Sequence, residues 1–180
     1  HDWPEAWHAN SIKSEGGIYF SRNRGINWER LTPETGDLNR QFLSVAFDSV
    51  NNIIYGGSHQ TGIIRSIDDG ETWNYINSGL PNGDKIIPQI EVNPNNGNVY
   101  ALLTGNAPSF TNNLETGIYF LDVENGSTEW ELLRVDVNYP DLADPGYQLW
   151  FYPTAFAIDF SSNDQDTIWL ADYENNQNWL

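Results

Sequence analysis

Ser66-Ile67-Asp68-Asp69-Gly70-Glu71-Thr72-Trp73 is a turn that can close on itself, and the chain uses its frame more than once. The pattern S-x-D-x-G-x-T-W returns upstream as Ser21-Arg22-Asn23-Arg24-Gly25-Ile26-Asn27-Trp28. Each copy follows a short apolar run opened by glycine, Gly17-Ile18-Tyr19-Phe20 or Gly62-Ile63-Ile64-Arg65. A worn third copy starts at Gly117-Ile118-Tyr119-Phe120, passes through Asn125-Gly126 and ends at Trp130. Runs of β-branched and aromatic residues on either side of a short glycine-bearing polar segment predict hairpins. Asp68 can accept main-chain hydrogen bonds within its own turn, and Asn23 can do the same. Gly70 can take a positive φ that a Cβ would resist. Trp73 opens the return strand with a large apolar ring. Such a turn needs no ligand.

A second element alternates with the first. Leu43–Asp48, Pro88–Asn93 and Ala155–Asp159 are strand-like runs, each followed by an Asx-rich turn and a second run: Ile53–Gly56, Val99–Ala101 and Ile168–Ala171. Corresponding residues keep one spacing, 45 from Ser21 to Ser66 and 45 from Tyr55 to Tyr100. A fixed period of this size means stacked units, each unable to bury its apolar face alone.

The eight-residue frame resembles the Asp-box, or BNR, repeat of β-propellers, found in sialidases, xyloglucanase-type glycosidases and sortilin-type receptors. The likeness is carried by Ser66, Asp68, Gly70 and Trp73, and by Ser21, Asn23, Gly25 and Trp28; it is weak at 121–130. The resemblance implies an all-β fold of propeller blades, each of four antiparallel strands, with the box as a structural hairpin away from any active site. On that frame the chain divides into a partial blade (1–41), a complete blade with strands at 42–48, 52–57, 62–67 and 72–77, and a second with strands at 86–93, 98–103, 117–122 and 128–135. An insertion (136–154) and another partial blade (155–180) follow. Two whole and two partial blades fall short of a ring of roughly four to eight, so the expectation is a segment of a larger propeller.

Composition narrows the function classes. Helix signals are nearly absent, which favours an all-β chain. The net charge is −17, with Lys13 and Lys85 the only lysines. Nucleic acid and anionic membrane surfaces require a basic footprint, so neither is an expected partner. Absence of cysteine removes any disulfide framework. An acidic, polar surface suits a secreted or cell-surface protein, and bacterial origin is the expectation. No D-x-D-x-D-G calcium loop is present, and no metal or cofactor is expected.

Residues recurring in every unit belong to the fold. Asp48, Asn93 and Asp159 share one position and are expected to cap the following turn; Trp28, Trp73 and Trp130 are expected in the core. Chemistry is sought where the period breaks, at 104–116 and 136–154. In an antiparallel four-stranded blade both excursions emerge at the edge opposite the boxes, and long loops gathered on a rigid scaffold carry function. Tyr139, Tyr147, Trp150 and Tyr152 offer flat apolar rings with polar tips, while Asn112, Asn113, Glu115, Asp141 and Asp144 offer amides and carboxylates. His59 lies in a shorter loop on the same edge. Rings beside such groups fit a glycan.

The leading reading is a binding or interaction module that recognises glycan or protein, with the remainder of its own propeller or a larger assembly as further partner. A xyloglucanase-type hydrolase is the alternative; it needs two carboxylates about 6.5–9.5 Å apart, with Glu115, Asp141 and Asp144 as candidates. A structural segment of a surface adhesin or secretion-associated assembly is the third. The arginine-bearing Phe/Tyr-Arg-Ile-Pro segment of sialidases is missing, which argues against that activity.

Overall fold

A computed structural model describes residues 16–33, 41–104, 116–133, 153–161 and 166–172. These residues are all-β, without helix, in strands β1 (Tyr19–Phe20), β2 (Glu29–Arg30), β3 (Phe42–Asp48), β4 (Ile53–Ser58), β5 (Ile63–Ser66), β6 (Asn74–Tyr75), β7 (Ile86–Val92), β8 (Val99–Thr104), β9 (Gly117–Leu121), β10 (Glu131–Leu133), β11 (Pro153–Asp159) and β12 (Thr167–Asp172). Consecutive strands pair antiparallel into four meanders: β1–β2, β3–β6, β7–β10 and β11–β12. Among the described residues no sheet closes on itself. The strands expected to begin at 72 and 128 begin at Asn74 and Glu131, because the preceding turn claims the first residues.

The sheets pack side by side in chain order. β3 and β4 lie against β7, and β11 lies against β7 and β8. Strand alternation decides which residue meets which neighbour. In β8, Val99, Ala101 and Leu103 face back into a core shared with Ile53, Tyr55 and Ile63 of the second sheet. Their alternates Tyr100 and Leu102 face forward into a core with Ile118 and Phe156, supported by Ile158, Ile168 and Leu170 of the fourth. Each fully buried Ile or Leu contributes about 1.5–3 kcal/mol, so these two cores hold the four-stranded sheets.

The same logic governs the strands that run deepest. On β7, Ile90 and Val92 face the second sheet. On the other face of β7, Gln89 reaches forward: its Nε2 donates to the Phe156 oxygen at 2.7 Å, and its Oε1 accepts from the Phe156 N–H at 3.0 Å. Ser44 makes the corresponding reach one unit earlier, donating to the Ile87 oxygen at 2.8 Å. Gly57 explains how close these sheets come. A Cβ there would lie 2.7 Å from the Ile87 carbonyl oxygen and 2.6 Å from its Cγ2.

One expectation fails. Trp130 is buried and Trp73 half-buried, but Trp28 is exposed. Trp130 Nε1 donates to the Ile76 oxygen at 2.6 Å, and Trp73 Nε1 to the Leu31 oxygen at 3.3 Å. Each indole therefore rests on the segment after the last strand of the sheet before it. Trp28 belongs to the first sheet, and among the described residues no earlier sheet stands beneath it.

Candidate functional site

The two edges of the sheets differ in kind. At one edge lie the eight-residue turns, which are internally satisfied. Ser66 Oγ donates to Asp68 Oδ1 (2.7 Å) and accepts from the Gly70 N–H (2.8 Å). Asp68 accepts from the Thr72 N–H (2.9 Å) at Oδ1 and from the Thr72 hydroxyl (2.5 Å) at Oδ2. These bonds, the Thr72 hydroxyl foremost, hold the Asp68 carboxyl below its usual range. Gly70 takes φ 93°, and Trp73 Nε1 returns to its oxygen at 3.0 Å.

The first copy repeats this geometry with an amide. Ser21 Oγ donates to Asn23 Oδ1 (3.0 Å), which also accepts from the Asn27 N–H (2.9 Å). Trp28 Nε1 closes on the Gly25 oxygen (3.0 Å). In the worn third copy Asp122 caps instead, accepting from the Asn125 N–H (3.2 Å) and side-chain amide (2.8 Å). Arg22, in the first of these turns, lies over the Phe20 ring at 4.7 Å.

The turns joining β3 to β4, β7 to β8 and β11 to β12 share that edge. Asp48 Oδ1 accepts from the Val50 N–H (2.8 Å), Asn93 Oδ1 from the Asn95 N–H (2.9 Å), and Asp159 Oδ1 from the Ser161 N–H (2.8 Å). The bonds from Ser161 lower the Asp159 pKa. The three residues cap turns.

Asn93 does more than cap. Its Nδ2 contacts both oxygens of Asp166 at 3.1 Å, and Tyr100 Oη donates to Asp166 Oδ2 at 2.6 Å. Burial first, and this bond second, raise the Tyr100 phenol. Sequence reasoning missed this group. Its one signal was an amide at 93 where the other two copies carry an acid. The same place between the second and third sheets holds Tyr55, Asp48 and Gly97. Asp48 is committed to its own turn and Gly97 has no side chain, so Tyr55 Oη is buried without a hydrogen-bond partner. Burial, then the Asp48 charge, push that phenol up to about 12.

The opposite edge is where the chain makes its excursions. Leu103 pairs with Gly117, and Ile118 with Leu133. The strand ends bounding the two long excursions, Thr104, Gly117 and Leu133, are thus neighbours. β11 runs alongside β7 in the same direction, since Gln89 meets Phe156 and Asn95 Nδ2 donates to the Phe160 oxygen (2.9 Å). Its first residue, Pro153, therefore starts from that edge too. Asn112, Asn113, Glu115, Tyr139, Asp141, Asp144, Tyr147, Trp150 and Tyr152 lie outside the described residues.

His59 sits at this edge beside the second sheet. It is exposed, and its main-chain N–H donates to the Gln41 oxygen at 2.9 Å. The short loop around it is tied down. Ser58 Oγ accepts from the Thr61 N–H (2.7 Å), and the Lys85 N–H donates to the Gln60 oxygen (2.9 Å). The loop that carries His59 is therefore held at both ends by hydrogen bonds.

Among the described residues, no group of three or more His, Asp or Glu side chains could hold a metal ion. No helix among them is long and apolar enough to cross a membrane. No protein-family model matches the chain, and no curated protein matches it.

Proposed function

We propose that this chain is a β-propeller segment of the Asp-box kind, working as a secreted or cell-surface binding module of bacterial origin. Its ligand is a glycan or a protein, taken by the excursions at 104–116 and 136–154. One observation carries the reading: the strand ends bounding both excursions share one edge, opposite turns that use up their own polar groups. Rigid strands fix where the loops start, and the loops are free to vary in content. Tyr147, Trp150 and Tyr152 then supply rings for a sugar face, and Asn112, Asn113, Glu115, Asp141 and Asp144 supply hydrogen-bonding partners. Tyr139 adds a further ring, and His59 lies on the same edge.

The test is a glycan array read with the wild-type chain, Tyr147→Ala and Trp150→Ala. The reading expects array signals that vanish in the variants while thermal melting stays within about 0.5 kcal/mol of wild type. Signals unchanged by both substitutions would defeat it.

A further inference from the structure

Asparagine stands directly before glycine at three places: Asn82-Gly83, Asn96-Gly97 and Asn125-Gly126. Such a pair has a chemistry of its own. Glycine has no side chain to shield its main-chain nitrogen, and that nitrogen can attack the amide carbon of the asparagine before it. The attack needs two freedoms. The nitrogen must be released from any hydrogen bond, and the asparagine side chain must swing over it.

Two of the pairs lack both freedoms. The Gly97 N–H donates to the Asn93 oxygen at 2.8 Å. The Asn96 side chain accepts from the Asn98 N–H at 3.1 Å and donates to Glu124 Oε2 at 3.0 Å. The Gly126 N–H donates to the Val123 oxygen at 3.0 Å, and the Asn125 amide to Asp122 Oδ2 at 2.8 Å.

Asn82-Gly83 differs. It lies in an arch, 81–84, slung between two anchors. On one side the Trp130 N–H donates to the Ser78 oxygen at 2.9 Å and the Leu80 N–H to the Asn77 oxygen at 3.0 Å; on the other the Lys85 N–H donates to the Gln60 oxygen at 2.9 Å. Asn82 and Gly83 are both exposed, and a Cβ on Gly83 would meet nothing within 4 Å. Among the described residues, neither the Asn82 side chain nor the Gly83 N–H has a hydrogen-bond partner. Lys85 Nζ does hold the Gly83 oxygen, at 2.9 Å. That oxygen belongs to the peptide after Gly83, and the reacting peptide is the one before it.

We propose that the fold singles out Asn82 as a site of spontaneous covalent modification, while the pairs at 96 and 125 are protected. The Gly83 nitrogen bonds to Cγ of Asn82 and the Cγ–Nδ2 bond breaks. The departing nitrogen takes the proton of the Gly83 N–H and leaves as ammonia. Water then opens the cyclic imide at either carbonyl, which gives an aspartate or an isoaspartate at 82. Water is the only co-reactant, and nothing is oxidised or reduced. The bridge between Lys85 and Thr61 puts this arch on the edge that carries His59 and the excursions. Each event therefore adds a negative charge at that edge and, in the isoaspartate, a main-chain methylene. This inference is independent of the ligand reading.

Peptide mapping tests it. The full chain is held in mildly alkaline buffer made with heavy-oxygen water, so that each opened imide carries a label. Samples are quenched in acid over time, and the tryptic peptides 66–85 and 86–134 are sequenced by tandem mass spectrometry. Conversion at 82 is expected to run about tenfold faster than at 96 or 125, because each of those glycine nitrogens must first break a main-chain bond. In urea, where those bonds are gone, the three rates are expected to converge. Asn82→Gln, whose longer side chain closes a ring more slowly, is expected to lose the early label from 66–85 with thermal melting unchanged. Conversion at 96 or 125 that matches or outpaces 82 in the folded chain overturns the proposal. So does a folded chain that stays unlabelled at 82, or an order of rates that persists in urea, which would show sequence neighbours rather than the fold in control.

Discussion

Tyr100 on the third sheet donates its phenolic hydrogen to Asp166 on the fourth at 2.6 Å, and Asn93 shares the same carboxylate. The group is half-buried, and two donors meet one acid. An acid at 93 would remove a donor and place a second negative charge against the first.

Asn93→Asp is therefore expected to destabilise the fold by about 2–4 kcal/mol at neutral pH. The new carboxyl, crowded by Asp166, would have a folded pKa above its unfolded value. Its protonated form is the one the fold tolerates, so the stability deficit is smallest at and below the usual carboxylate value of about 4 and grows as pH rises from there through the raised folded value. Urea melts at pH 4 and 7 measure this. An equal deficit at both would show that charge is not the cause.

The indoles at 28 and 130 occupy one motif position but different surroundings. Trp130 is 3 % exposed, and its N–H reaches the Ile76 oxygen. Trp130→Ala should cost about 3–5 kcal/mol. Trp28→Ala, measured on monomeric protein, should stay within about 0.5 kcal/mol. Chemical denaturation of the pair decides; similar costs would contradict the packing described here.

Asp68 has a depressed folded pKa, so its contribution is present above its unfolded pKa and fades as pH falls through the folded value. Asn23 shows that an amide oxygen closes the same turn. Asp68→Asn should fold normally and lose less melting temperature than wild type between pH 7 and pH 2. Asp68→Ala should melt lower than either at pH 7. Identical melting of the Ala and Asn variants would mean that the Thr72 bonds are dispensable.

Gly57 lets β4 approach β7. Gly57→Ala places a methyl against Ser44, the Ile87 side chain and the Ile87 carbonyl. Main-chain oxygen cannot swing away as a flexible side chain can, and overpacking of this kind costs about 1–3 kcal/mol. Thermal unfolding of the variant measures the loss.

The strands and turns were legible because both signals are local. Alternating apolar runs set β3, β7 and β11, and the Ser-Asp-Gly spacing set the turn that holds Ser66 and Thr72. Packing between sheets was less legible. Trp28 holds the same motif position as Trp73, but its burial depends on whether a sheet lies beneath it. Asp166 was missed because its partners lie in another unit of the repeat, 73 residues away at Asn93. Of the candidate site, sequence and topology together place the stems of the excursions, while the rings and acids within them were read from composition alone.

Between the third and fourth sheets, the described bonds come from single side chains such as Gln89 and Asn95, reaching main-chain atoms one at a time. Ladders of main-chain bonds stop at the border of each sheet. The apolar cores lie at those same borders, so no sheet keeps a core once it is parted from its neighbour. Under denaturant or pulling force, loss of structure should start from the ends of the row, where a sheet has one neighbour to lose. Anything that bridges two sheets along their shared rim would act as a staple.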